Sequence, residues 1–230
     1  MLGTIVNTLA ITGGSLIGLM FRGRIPVAYH QTVLHAIGLA VMLIGIRSAL
    51  KSTDILLIIF SVAIGSVVGE YIGIENRLEK LGNWLNTRVS KSENDFTRGF
   101  VTASLLYCVG SMAIVGSLES GLTNNHQTLY AKSILDGIAS VIFASSLGWG
   151  VLFSALPVFI YQGVLTLSAS VMKPLLTTAV VDQMSAVGGL LIMAIGINLL
   201  ELKKIHVGNM LPAIFMPLIY YALKSAYLAL

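Results

Sequence analysis

Charge is what this sequence has least of. Only 10% of its 230 residues are Asp, Glu, Lys or Arg, against 56% hydrophobic, and the mean hydropathy is +0.87. So few charges cannot clothe a water-soluble sphere of this size, which excludes a soluble globular protein and leaves the bilayer as its solvent. Cysteine is almost absent as well. Cys108, alone in an apolar segment, excludes an internal disulfide and a metal–thiolate cluster. His30, His35, His126 and His206 are scattered without metal-ligand spacing, so no metal site is expected. The N-terminus enters an apolar stretch with no basic region and no small-residue cleavage site before Arg22, so the first segment is expected to remain as a span. Gly-x-Ser-x-Gly, a phosphate loop and His-Glu-x-x-His are all missing, which points away from an enzyme and leaves no cofactor to expect. The net charge of +4 does not signal nucleic acid here, because the basic residues lie between apolar runs, where they set topology.

What is there is a succession of apolar runs near the length needed to cross a hydrocarbon core of roughly 30 Å. They predict eight helices, at 2–21, 32–50, 54–74, 98–117, 131–147, 150–171, 184–200 and 207–228. Run length and the lack of period-two alternation favour helices over barrel strands. The expected fold class is all-α, a polytopic transmembrane helical bundle forming one integral domain over 1–230. The gap Ser146-Leu147-Gly148-Trp149-Gly150 is the weakest boundary, and a re-entrant pair there would leave seven spans.

The main polar interruption, 75–98, sets Leu78, Leu81, Trp84 and Leu85 at helical spacing beside Arg77, Lys80 and Arg88. It reads as an amphipathic helix on the membrane surface, with a solvated orienting loop as the alternative. Loops after odd-numbered spans hold nine basic residues (Arg22, Arg24, Arg77, Lys80, Arg88, Lys91, Arg98, Lys203, Lys204). The opposite side holds five (Arg47, Lys51, Lys132, Lys173, Lys224). The positive-inside rule then puts 75–98 in the cytoplasm and both termini outside.

GLAVMLIGI (38–46) and GLLIMAIGI (189–197) match in six of nine positions without a gap, including Gly38 with Gly189, Met42 with Met193 and Gly45 with Gly196. They fall in the second and seventh helices, an odd offset, so they would point in opposite directions. An inverted repeat relating spans 1–3 to spans 6–8 is expected, against chance likeness between two apolar segments. Ser61, Gly65, Gly69 and Gly73 recur every four residues, as do Gly14 and Gly18, and mark faces where another helix can approach closely. Gly110, Ser111, Gly116 and Ser117, then Ser145, Ser146, Gly148 and Gly150, form clusters of another kind, which either open a helix around a substrate or line a polar packing seam.

The runs GTIVNTLAITGGSLIGLMFRGRIP (3–26), YCVGSMAIVGSLESGL (107–122), KSILDGIASVIFASSLGWGVLFSALPVFIYQGVLTL (132–167) and AVGGLLIMAIGINLL (186–200) closely resemble the bacterial membrane family catalogued as domain of unknown function 554. The resemblance spans essentially the whole chain. It implies a multi-pass protein of the bacterial inner membrane, sometimes described as a transporter, and supplies no substrate or binding residues to carry over.

Chemistry must therefore come from the residues. Asp136 is the one acid in AKSILDGIASVIFASSLG (131–148), and an ionised carboxylate in a span is tolerated only beside a partner, a wet cavity or a bundle interior. It either pairs structurally with Lys132, four residues earlier on the same face, or lines an ion or proton pathway. Asn7, Ser111, Ser117, Glu119, Gln162 and Asn198 are the other buried polar candidates, and their oxygens suit a hard cation or a proton. Taken singly, Asn7 and Asn198 are ordinary interhelical glue. The expected function is a small-solute or ion transporter, cation- or proton-linked, with its site between broken Gly/Ser-rich helices. The alternative is a non-transporting scaffold or sensor. The expected partners are the lipid bilayer and a small ion or metabolite; a homo-oligomer stays open.

Overall fold

The computed structural model describes residues 1–22, 27–52, 54–89, 95–172 and 176–228. Arg24, Lys91 and Lys173, used in the charge count, and the side chains of His30 and Ser111 lie outside the described residues. Within them the chain is all-α: α1 (Leu2–Phe21), α2 (Val27–Ala49), α3 (Ile55–Ile72), α4 (Ile74–Val89), α5 (Phe96–Val109), α6 (Ser111–Leu122) and α7 (Gln127–Leu147) come first. α8 (Trp149–Phe153), α9 (Ala155–Leu167), α10 (Ala169–Met172), α11 (Thr178–Leu199), α12 (Val207–Met210), a 3-10 turn (Leu211–Phe215) and α13 (Met216–Leu228) follow. Among the described residues, four segments are long and apolar enough to cross a membrane: Leu2–Phe21, Ile55–Ile72, Trp149–Leu167 and Thr178–Leu199. The pair Phe96–Val109 and Met112–Leu122, bent by 59°, makes a fifth if it is one broken span.

The shortfall against eight has local causes. α7 is 21 residues long but carries Lys132, Asp136 and several serines. The last apolar run is divided by a 3-10 turn containing Pro212. The expected helix over 98–117 breaks where Gly110 and Ser111 lower helix propensity. α7 also begins a turn earlier than its apolar run, because Asn125 Oδ1 accepts from the Gln127 amide and His126 O from Tyr130.

The helices assemble into two compact units, each drawn from distant parts of the chain: Met1–Ala36, Asn76–Cys108 and Met112–Ser170 in one, Ile37–Glu75, Val109–Ser111 and Val171–Leu230 in the other. In the first, α1 lies along α7, its most extensive partner. The two are parallel. Gly3 abuts Leu129, Gly14 abuts the carbonyl of Gly137, and Gly18 meets Val141 and Ala144, so a Cβ at Gly14 would overlap backbone. α5 runs antiparallel to α7, with Gly99 beside Leu147 and Tyr107 bonded to Ser140. Within the polar interruption the chain is helical over Ile74–Val89: Gly82 packs against Phe100 and Thr97 and Leu85 is buried, while Leu81 and Trp84 stay exposed with Arg88 over the indole at 5.3 Å.

In the second unit α2 and α11 are antiparallel. Gly38 abuts Leu200, Met42 abuts Gly196, Met193 abuts Gly45, and Gly189 abuts Ala49. α3 packs against 207–213 through Gly65, which meets Ala213, and Gly69, which meets Asn209; Ser61 is buried on the same face. Gly73 departs from that stripe. It ends α3 at φ 69, in the left-handed region that favours glycine, and a Cβ there would meet nothing.

Gly13 and Gly14 form a paired test of the α1–α7 seam. A Cβ at Gly13 meets nothing within 4 Å. Gly13→Ala should therefore be neutral or stabilising by up to about 1 kcal/mol. Gly14→Ala should push α1 off α7 and cost about 1–3 kcal/mol. Thermal unfolding of both purified variants checks the difference.

Candidate functional site

A polar stripe runs along α7. Thr128, Lys132, Asp136 and Ser140 follow one another at four-residue steps, the spacing that stacks side chains on one helix face. Because α7 starts at Gln127, Asp136 lies about 13 Å along a helix about 31 Å long, well away from either end. Lys132 and Asp136 are both buried, at 5% and 6% exposure.

The pair is tightly made. Lys132 Nζ donates to both carboxylate oxygens of Asp136, at 2.9 Å to Oδ1 and 2.7 Å to Oδ2. Asn7 Nδ2, brought in by the close seam of α1 on α7, donates to Oδ2 at 3.0 Å. The Lys132 ammonium also lies 5.9 Å from the centre of the Tyr107 ring on α5, a cation–π distance. The Tyr107 hydroxyl reaches Ser140 Oγ at 2.9 Å. The Cys108 thiol lies within electrostatic reach of both charges. A charge in such surroundings survives only if paired and hydrogen-bonded, and both conditions are met.

α9 closes the layer from another side. Thr4 and Thr166 meet through their hydroxyls at 3.4 Å, and Thr8 shares a groove with Ala155 and Phe159, which makes α9 antiparallel to α1. Gln162 stands one turn from Thr166 on the same face of α9. It is fully buried. Neither polar atom of its amide, nor Asn7 Oδ1, nor the Tyr161 hydroxyl has a hydrogen-bond partner among the described residues. Each such atom in a dry interior costs on the order of 1–3 kcal/mol, so each calls for a polar partner.

The remaining candidates are placed elsewhere. Ser117 is buried, but its hydroxyl donates to the Ala113 carbonyl at 2.6 Å, and Ser145 likewise serves Ile142, so these serines satisfy their own helices. Asn198 folds the turn after α11, donating to Ile205 O at 2.8 Å and accepting from Ile205 N at 2.7 Å. Glu70, not among those candidates, accepts from Asn209 Nδ2 at 2.6 Å at the end of α3. Ser61 Oγ has no partner among the described residues. Ser140 and Tyr107 were not singled out from sequence, although Ser140 stands one turn beyond Asp136 and continues the stripe. No group of three His, Cys, Asp or Glu able to hold a metal occurs among the described residues.

Removing one partner of the pair leaves the other charge stranded. Lys132→Met should lower stability by roughly 3–5 kcal/mol, while the double variant Lys132→Met/Asp136→Leu should recover most of that loss. Denaturation of single and double variants in one detergent measures the coupling. Additive losses would show that the two charges do not interact.

Comparison with known proteins agrees with this membrane architecture. The family model described as "Protein of unknown function (DUF554)" matches residues 2–222. The chain is 37% identical over 221 residues to the "Uncharacterized membrane protein YdfK" of Bacillus subtilis (strain 168), covering 94% of each. It is 30% identical over 233 residues to the "Uncharacterized protein YqgA" of Escherichia coli (strain K12), covering 99% of each. No solved structure matches it. A match that runs from residue 2 to residue 222, with relatives aligned along nearly their full lengths, makes this chain a member of the DUF554 family.

Proposed function

We propose that this protein is a non-enzymatic transporter of a small solute or ion, linked to a cation or proton, in the bacterial inner membrane. One observation carries the reading. A buried Lys132–Asp136 pair near the middle of a bilayer-length helix is held by Asn7, whose Oδ1 has no hydrogen-bond partner among the described residues, and the same unit buries the unpartnered amide of Gln162 and hydroxyl of Tyr161. Ionisable groups placed at such a depth are expensive and mark solute pathways more often than scaffolding.

Two further features support it. α5 and α6 are divided at Gly110, the kind of discontinuity around which transporters bind solute. The contacts of α2 with α11 also follow the sequence likeness: Met42 lies on Gly196 as Met193 lies on Gly45. Since Met42 corresponds to Met193 and Gly45 to Gly196, each contact is the image of the other under a two-fold axis perpendicular to both helices. That is the contact pattern of an inverted repeat, and spans 1–3 against 6–8 remain the proposed correspondence. The scaffold alternative is favoured by the exposed Leu81 and Trp84 of α4, a surface that a cytoplasmic partner could cover.

A charge swap separates these readings. Lys132→Asp/Asp136→Lys keeps a buried pair at the same spacing, with the acid now on the N-terminal side, as helices prefer. It should melt near the wild-type temperature yet lose flux in proteoliposomes screened with an ion and metabolite panel. Wild-type protein inactive across the panel would favour the scaffold, and a swap variant with full flux would make the pair structural only. Orientation has its own test. With both termini outside and α4 in the cytoplasm, a cysteine at exposed Trp84 on a background lacking Cys108 should react only with label supplied from the inside.

A further inference from the structure

The Lys132–Asp136 pair is closed and neutral as it stands, since Lys132 occupies both oxygens of Asp136 and Asn7 holds one of them. A neutral solute can pass beside such a pair without using its charge. A charged one must replace one member. Replacement of the ammonium is the change the surroundings favour. Asp136 would keep its hydrogen bond from Asn7, and the incoming ion would meet Asn7 Oδ1, a buried acceptor with no partner among the described residues. The electron-rich face of Tyr107, 5.9 Å from Lys132 Nζ, attracts cations in general. An anion replacing Asp136 would face that same ring and that same acceptor. One ammonium exchanged for one monovalent cation leaves the charge at Asp136 unchanged, whereas a divalent ion would leave an excess charge in a dry site.

A displaced lysine also needs a destination, and α7 supplies one. Thr128 stands one turn before Lys132, on the same face, and its hydroxyl donates to Glu119 Oε2 at 2.6 Å. Glu119 comes from the end of α6 and is half-buried. One helical turn is about 5.4 Å, within the sweep of the four-carbon lysine stem, so the Thr128 level one turn behind Lys132, where α6 presents the Glu119 carboxylate, is within its reach as Asp136 is one turn ahead. The charged and titratable groups facing the pair from neighbouring helices are Tyr107 and Cys108 of α5 and, beyond them, Tyr161 of α9; α1 brings Asn7, which is neutral.

Resting on the reading of this pair as a transport site, we infer that a monovalent alkali cation binds Asp136 by displacing Lys132, whose ammonium moves one turn back to Glu119. Lys132 is then a tethered competitor for the cation. With Asp136 vacant it returns and closes the site.

The test follows Lys132 itself rather than flux. Full-length protein in nanodiscs is treated with a membrane-permeant amine-acylating reagent in sodium, potassium or choline chloride of equal ionic strength, and modification of Lys132 is read by mass spectrometry. At least one alkali salt should raise the Lys132 acylation rate several-fold over choline. Glu119→Gln, which leaves the Asp136 pair intact but removes the second carboxylate, should reduce that rise. Asp136→Asn should label rapidly in every salt. Equal wild-type labelling in all three salts would overturn the inference without needing any variant to fold, and a full-sized rise in Glu119→Gln would overturn the role of Glu119. A salt response without measurable flux would keep the cation site and remove transport; flux without a salt response would do the opposite.

Discussion

Hydrocarbon offers no hydrogen bonds, and most of the local architecture of this protein follows from that. A polar group that enters the bilayer is costly unless it brings a partner with it. Several serines do so within their own helices, with Ser104, Ser117, Ser133 and Ser185 each donating to a carbonyl one turn back. Helix starts use side chains of the same chain, Asp54 for the Leu57 amide and Thr177 for the Val180 amide. Lys132 and Asp136 obey the rule at higher stakes, because the cost of a lone charge there far exceeds that of a lone hydroxyl. Their mutual pairing is the minimum that lets α7 exist where it is.

Close helix contact is the second consequence. Apolar side chains gain little by leaving lipid for protein, so helices hold together best where small residues let backbones touch. Each unit uses this differently. Gly14 and Gly18 bring α1 parallel to α7, close enough for a short amide such as Asn7 to reach a carboxylate on the neighbouring helix. Gly38, Gly45, Gly189 and Gly196 bring α2 and α11 together antiparallel, and two methionines fill the spaces the glycines leave. In the first case closeness serves a polar contact, in the second a dry one.

The helical class, the glycine faces of α1 and α3 and the pairing of Lys132 with Asp136 were legible in the sequence because each depends on spacing within one helix. Helical periodicity alone puts residues 132 and 136 on one face, and small residues at four-residue intervals need no knowledge of the partner to be recognised. What was not legible depends on geometry between helices. The Gly/Ser clusters left open a helix parted around a substrate or a polar packing seam, and composition cannot show that the Ser117 and Ser145 hydroxyls turn back on carbonyls of their own helices. Asn7 could be named as a buried amide, but its choice of Asp136, 129 positions away, required the α1–α7 seam. Gly73 shared the four-residue spacing of Gly65 and Gly69, and only its positive φ separates a helix terminator from a packing position. Tyr107 and Ser140 gave no signal singly, since a tyrosine and a serine in apolar helices are unremarkable until they meet.

The separation of Asn7 from Asp136 along the chain also bears on how the protein is made. α1 leaves the ribosome long before α7 is synthesised, so Asn7 must wait without its carboxylate while the intervening helices insert. During that interval its amide faces lipid, water near the surface or the insertion machinery. Lys132 and Asp136, by contrast, are four residues apart and can meet as soon as their own turns of helix form. In the first unit a local ion pair on a late helix is thus joined by a long-range contact from the earliest one, and Asn7 can find its carboxylate only once α7 exists.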